Sequence, residues 1–137
     1  MNKLEFFDCN ARIGTWANPR PEHITDVAGL LSTLDKAGIA RALVHHSFAW
    51  QWDAVEGNRA LRAELAGQDR LYPCFTALPP ATGETPPDEL ADLCLELHGA
   101  VRAFPRDHQW RLAPWCAWAE GRDYSEGHQM SAFSCNK

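Results

Sequence analysis

The feature that most limits how this chain can fold is an alternation of two textures, with four strand-like runs and a helical run in each of the three intervals between them. A short run rich in β-branched and aromatic residues is followed by a longer run with apolar residues at helical spacing. The strand-like runs begin at about residues 4, 39, 71 and 99, a repeat of roughly 30 residues, which is the length of one βα unit. Four such units in a row predict an α/β domain built on a parallel sheet, with right-handed crossovers that set the helices on one side if the sheet curls. At 137 residues, 45% hydrophobic and 23% charged, the chain can supply one domain with its own core.

The units can be placed from local signals. Residues 4 to 14 read as the first strand, with Leu4, Phe6 and Phe7 as apolar bulk and Gly14 with Asn18-Pro19 as its stop. Ile24, Val27, Leu31 and Leu34 share one face of a helix predicted over 22–37, and Gly38 supplies its left-handed cap. The run from Ile39 to Val44 is the second strand, ending at His45-His46. Asp53 caps a helix running to about Gly67, in which Gly57 costs roughly 1 kcal/mol relative to Ala. A third strand over 70–78 contains Pro73, whose missing N–H places it near the strand start. A helix opens at Thr85-Pro86, with Thr85 and Asp88 as a capping pair, and buries Leu90, Leu93, Cys94 and Leu97. Gly99 closes it, and a fourth strand spans 100–104 before Pro105.

Chemistry is expected where these strands end, because parallel sheets place their sites at the carboxyl edge. Asp8, Asn10 and Arg12 fall at alternate positions of the first strand, so on a period of two they share a side. His45 and His46 are neighbours, so only one of them can face that side, and the candidate taken with Asp8 for a catalytic role is His46. Arg102, Arg106 and His108, at and after the fourth strand, add donors suited to an anionic group, which makes Asn10, Arg12, Arg102, Arg106 and His108 the candidate ligand-binding set.

The segment Asp8-Cys9-Asn10-Ala11-Arg12-Ile13-Gly14 resembles the Asp-x-His-x-His-x-Gly opening of the amidohydrolase family of metal-dependent TIM-barrel enzymes. The run Gly-Ala-Val-Arg-Ala-Phe-Pro-Arg-Asp-His at 99–108 is similar to the fourth strand and following loop of the same group. The resemblance implies a parallel (βα)4 unit like the amino-terminal half of a TIM barrel over residues 1–119. It also implies an ancestry in hydrolysis or decarboxylation of small carboxylate or amide substrates. Asn10 and Arg12 stand where the family has its metal-binding histidines, and an arginine has no lone pair to give. The expectation is therefore no metal and no cofactor. Residues 120–137 are polar, without apolar period, and read as a tail outside the resemblance. Since a whole barrel takes about 250 residues, the chain reads as a truncated or frame-shifted half-barrel.

Composition sets further bounds. A net charge of −5, with 13 lysines and arginines that form no cluster, argues against a nucleic-acid footprint, so no nucleic acid is expected. The amino terminus lacks the apolar core of a signal peptide and no run reaches a membrane span, which points to the cytoplasm. Five cysteines without a C-x-x-C pair read as buried small residues. Of six tryptophans, Trp16, Trp50, Trp52, Trp110 and Trp115 follow strands and suit the walls of a site for an apolar ligand. Two main functional readings result: an inactive fragment or small-molecule-binding subunit, and a metal-independent hydrolase-like enzyme using Asn10, Arg12, His46 and Arg102. A third, an open flavodoxin-like domain for a phosphate-bearing ligand, ranks below them because Gly14-Thr-Trp-Ala-Asn-Pro makes no phosphate cradle. Four strands leave two sheet edges, so a homodimer pairing through those edges is expected in either case.

Overall fold

A computed structural model of the chain describes residues 4–78 and 84–103. The order is β1 (Phe6–Ile13), α1 (Val27–Ala37), β2 (Ile39–His46), α2 (Ser47–Gln51), α3 (Ala54–Glu64), β3 (Leu71–Ala77), α4 (Pro87–Leu97) and β4 (Ala100–Ala103). The strands form one four-stranded sheet in the order β1-β2-β3-β4, and every pair is parallel. The expected α/β alternation is therefore the fold. The last expected residue of the fourth strand, Phe104, the loop carrying Arg106 and His108, Trp110 and Trp115, and the polar tail lie outside the described residues.

One face of the sheet carries the core. Ala11 and Ile13 of β1, Ala42 and Val44 of β2, and Leu71, Phe75 and Ala77 of β3 meet Leu30 and Leu34 of α1, Leu61 of α3 and Leu90 of α4. Paired residues on adjacent strands point the same way, and the register Ala42 to Leu71 and Val44 to Pro73 shows the alternation carried across the sheet. The other face presents Leu43, His45, Tyr72, Cys74, Thr76 and Arg102, none of which joins the helix-covered core. β3 pairs with β2 as far as Pro73 and with β4 from Cys74 onward, so the proline's absent donor falls where the strand changes neighbours. No described helix is long and apolar enough to cross a membrane.

Several element ends differ from the sequence reading, each for a local reason. α1 begins at Val27 rather than near residue 22, because Asp26 takes the extended cap conformation and accepts the Gly29 N–H at 2.7 Å, while residues 20–23 close a separate turn. α3 is capped by Asp53 as expected, through the Glu56 N–H at 2.8 Å, but stops at Glu64. The Thr85 and Asp88 capping pair does not form: Pro86 stands at the N-cap with no side-chain hydrogen bond. His98, not Gly99, takes the left-handed conformation after α4. Gly99 is needed for another reason, since a Cβ there would sit 2.7 Å from the Pro73 carbonyl oxygen. The short α2 had no counterpart in the sequence reading. Gly57 explains how it fits: a Cβ at Gly57 would lie 2.1 Å from the backbone nitrogen of Ala49, so α2 and α3 touch backbone to backbone.

Candidate functional site

The site grows from an irregularity in β1. Asp8 pairs with Ala42 and Ala11 with Val44, so β1 spends one residue more than β2 over this interval, which is a β-bulge at Cys9 and Asn10. The Asp8 carboxylate stabilises the bulge by accepting the Asn10 N–H at 2.8 Å. The consequence is a change of face. Asp8 follows Ala42 on the helix side, whereas Arg12 pairs with His45 on the opposite side, so the expected single row of Asp8, Asn10 and Arg12 is broken by the inserted residue.

β1 is the outer strand of the described sheet, and a cleft of about 540 Å³ wraps its edge. Asp8, Asn10, Arg12, His45 and Arg102 all line it, together with Trp50 and with Leu30 and Leu34 of α1. Wrapping the edge is how one cleft collects residues from both faces. Cys9, expected to be buried, is exposed because it sits in the bulge, while Cys74 is buried as expected.

The strongest organising contact comes from the far side of the sheet. Arg102 of β4 donates to the Asn10 Oδ1 at 2.5 Å and to the Cys9 carbonyl oxygen at 3.2 Å. In a flat sheet β1 and β4 would stand roughly 14 Å apart, too far for two side chains rising from the surface to meet. The sheet therefore curls toward this face, and Arg102 spans it from one outer strand to the other.

Arg12 is held differently. Its guanidinium lies 3.6 Å from the centre of the Trp16 ring, and Trp16 meets Trp50 edge-on at 5.6 Å and His23 at 5.3 Å. Burial lowers the Arg12 pKa from its ordinary value, yet a guanidinium stays charged at any physiological pH. Among the described residues no carboxylate forms an ion pair with Arg12. His45 is pushed down to about 4, chiefly by burial and then by the charges of Arg102 and Arg12, so it is neutral above mildly acidic pH.

His46, the histidine proposed from sequence, does not face this cleft. It pairs with Ile13 on the helix side, its Nδ1 accepts the Phe48 N–H at 3.1 Å, and its Nε2 lies 3.3 Å from the Glu64 carboxylate. The histidine beside Arg12 and Arg102 is His45. Ala42 and Val44 of β2 face the core, so by alternation His46 does too and His45 faces the other way, while the bulge in β1 brings Arg12 onto His45's side. Among the described residues no three His, Cys, Asp or Glu side chains gather where a metal ion could be held. Comparison of the chain with models of known protein families, with curated proteins and with solved structures gives no significant match.

Proposed function

We propose that this domain is a (βα)4 unit of amidohydrolase-like barrel ancestry whose cleft binds a small carboxylate. The observation that carries the reading is the convergence of two guanidinium groups, Arg12 and Arg102, from opposite sides of the curled sheet onto one cleft. Arg12 is fixed by its tryptophan and has no described counter-ion, the condition of a cation arranged for an external anion. The inward curl of the sheet supports the barrel ancestry, since a half-barrel bends toward its unhelical face.

Binding without turnover fits the site better than catalysis. A general base works best with a pKa near the working pH, and His45 at about 4 is too weak a base at neutrality. With Asn10 Oδ1 engaged by Arg102, the position that corresponds to a family metal ligand is directed to an arginine instead.

Calorimetric titration of the whole chain with acetate, succinate and benzoate tests the proposal. Binding of at least one of them is expected, with Arg12→Ala weakening it by about tenfold or more, as for a charge-assisted hydrogen bond. No binding by the parent chain, or equal affinity in Arg12→Ala, would refute it.

A further inference from the structure

A second cavity, of about 420 Å³, lies at the carboxyl end of β2 beside His46 and shares no lining residue with the cleft. It is bounded by Gly14, Thr15, Thr25, His46, Phe48, Trp52 and Glu64. Its lining differs in charge from the cleft's, where Asp8 and Glu22 stand with Arg12 and Arg102. Among the described residues its lining holds the Glu64 carboxylate and no lysine or arginine. Its aromatic wall is the pair Phe48 and Trp52, with ring centres 5.3 Å apart and planes inclined at 38°. Both rings are large apolar groups, 39% and 42% exposed.

The structure assigns this cavity, we infer, to an organic ammonium group. A π-face attracts a cation through its quadrupole, and a carboxylate alongside supplies the opposing charge. The two are brought together by separate elements: Phe48 lies in α2 and Trp52 caps its end, while Glu64 comes from the last turn of α3. The Gly57 contact that locks α2 to α3 therefore also fixes the distance between aromatic wall and carboxylate.

His46 orients that carboxylate. Its Nδ1 accepts a backbone N–H, so in the neutral ring the proton is on Nε2, which faces Glu64 Oε1 at 3.3 Å. The imidazole is itself nearly buried and braced by Gly14, where a Cβ would come within 2.6 Å of the ring. Glu64 thus keeps one oxygen toward His46, and its charge serves the cavity. A small ion such as sodium gains little from ring faces compared with its own hydration, whereas an alkylated ammonium is weakly hydrated and matches them.

The test is ligand-observed NMR on the whole chain with tetramethylammonium and methylammonium chlorides, against sodium chloride at equal ionic strength. Saturation transfer to the ammonium methyl protons, and a saturable titration in the millimolar range, are expected. Glu64→Gln should weaken binding about fivefold, the scale of a partly exposed ion pair, and Trp52→Leu about threefold, the scale of an exposed cation–π contact. Circular dichroism establishes that each variant is folded. No transfer to either ammonium, competition by sodium as strong as by tetramethylammonium, or unchanged affinity in folded Glu64→Gln would overturn the assignment.

Discussion

Replacing Gly57 by alanine sets helix propensity directly against packing, and the structure decides which prevails. In the middle of α3, alanine in place of glycine gains roughly 1 kcal/mol of helix propensity. The new Cβ, however, would lie 2.1 Å from the Ala49 nitrogen, 2.3 Å from its Cα and 2.4 Å from its Cβ. Ordinary contact begins near 3.4 Å, so α2 would have to retreat by more than about 1 Å. None of the three atoms is the end of a flexible side chain, so no rotamer change relieves the clash. Overpacking of this kind costs roughly 3 kcal/mol, and the expected net effect is a loss of roughly 2 kcal/mol. Urea denaturation followed by far-ultraviolet circular dichroism measures it, as a lower midpoint with unchanged slope. Adding Ala49→Gly should not restore stability, because two of the three clashing atoms are backbone atoms that glycine keeps. A Gly57→Ala chain as stable as the parent, or more so, would show that α2 does not rest on α3 as described.

Other substitutions test separate parts of the structure. Asn58 donates to the Thr76 carbonyl and accepts the Thr76 N–H, both at 2.8 Å and both buried, so Asn58→Ala is expected to lose roughly 3 kcal/mol in the same denaturation assay. For His45 the folded pKa, about 4, lies below the unfolded value near 6.5. Between these values the unfolded chain binds the extra proton, so stability should fall as pH drops from about 6.5 to about 4, by up to roughly 3 kcal/mol, and His45→Gln should flatten that profile. Arg102→Met removes the contact between the outer strands, and carboxylate affinity in the calorimetric assay should drop by about tenfold as both Asn10 and the second guanidinium are lost. β1 is an outer strand with Leu4, Phe6 and Phe7 exposed, and multi-angle light scattering is expected to report a homodimer that dissociates on dilution; a stable monomer at all concentrations would refute pairing through the sheet edges.

Residue spacing alone determined the alternation of strands and helices, because burying one face of each helix against a sheet leaves its period in the sequence. Ile24, Val27 and Leu34 pointed to the core-facing side of α1, and Asp53 and Gly38 marked a start and a stop through their own side-chain and backbone chemistry. That Asn10, Arg12 and Arg102 belong near one another could also be read, since parallel strands bring their carboxyl ends to one edge. Tertiary structure alone decided the rest. The bulge at Cys9 and Asn10 sets Arg12 beside His45, while the alternation of β2 turns His46 to the helix side and Glu64. α2 is too short to carry a helical period and is held by the absence of a side chain at Gly57, so the residue that looked like a weakness of one helix is the contact point of two. The reach of Arg102 to Asn10, 92 positions away, depends on the curl of the whole sheet, a property of four strands together that no single segment encodes.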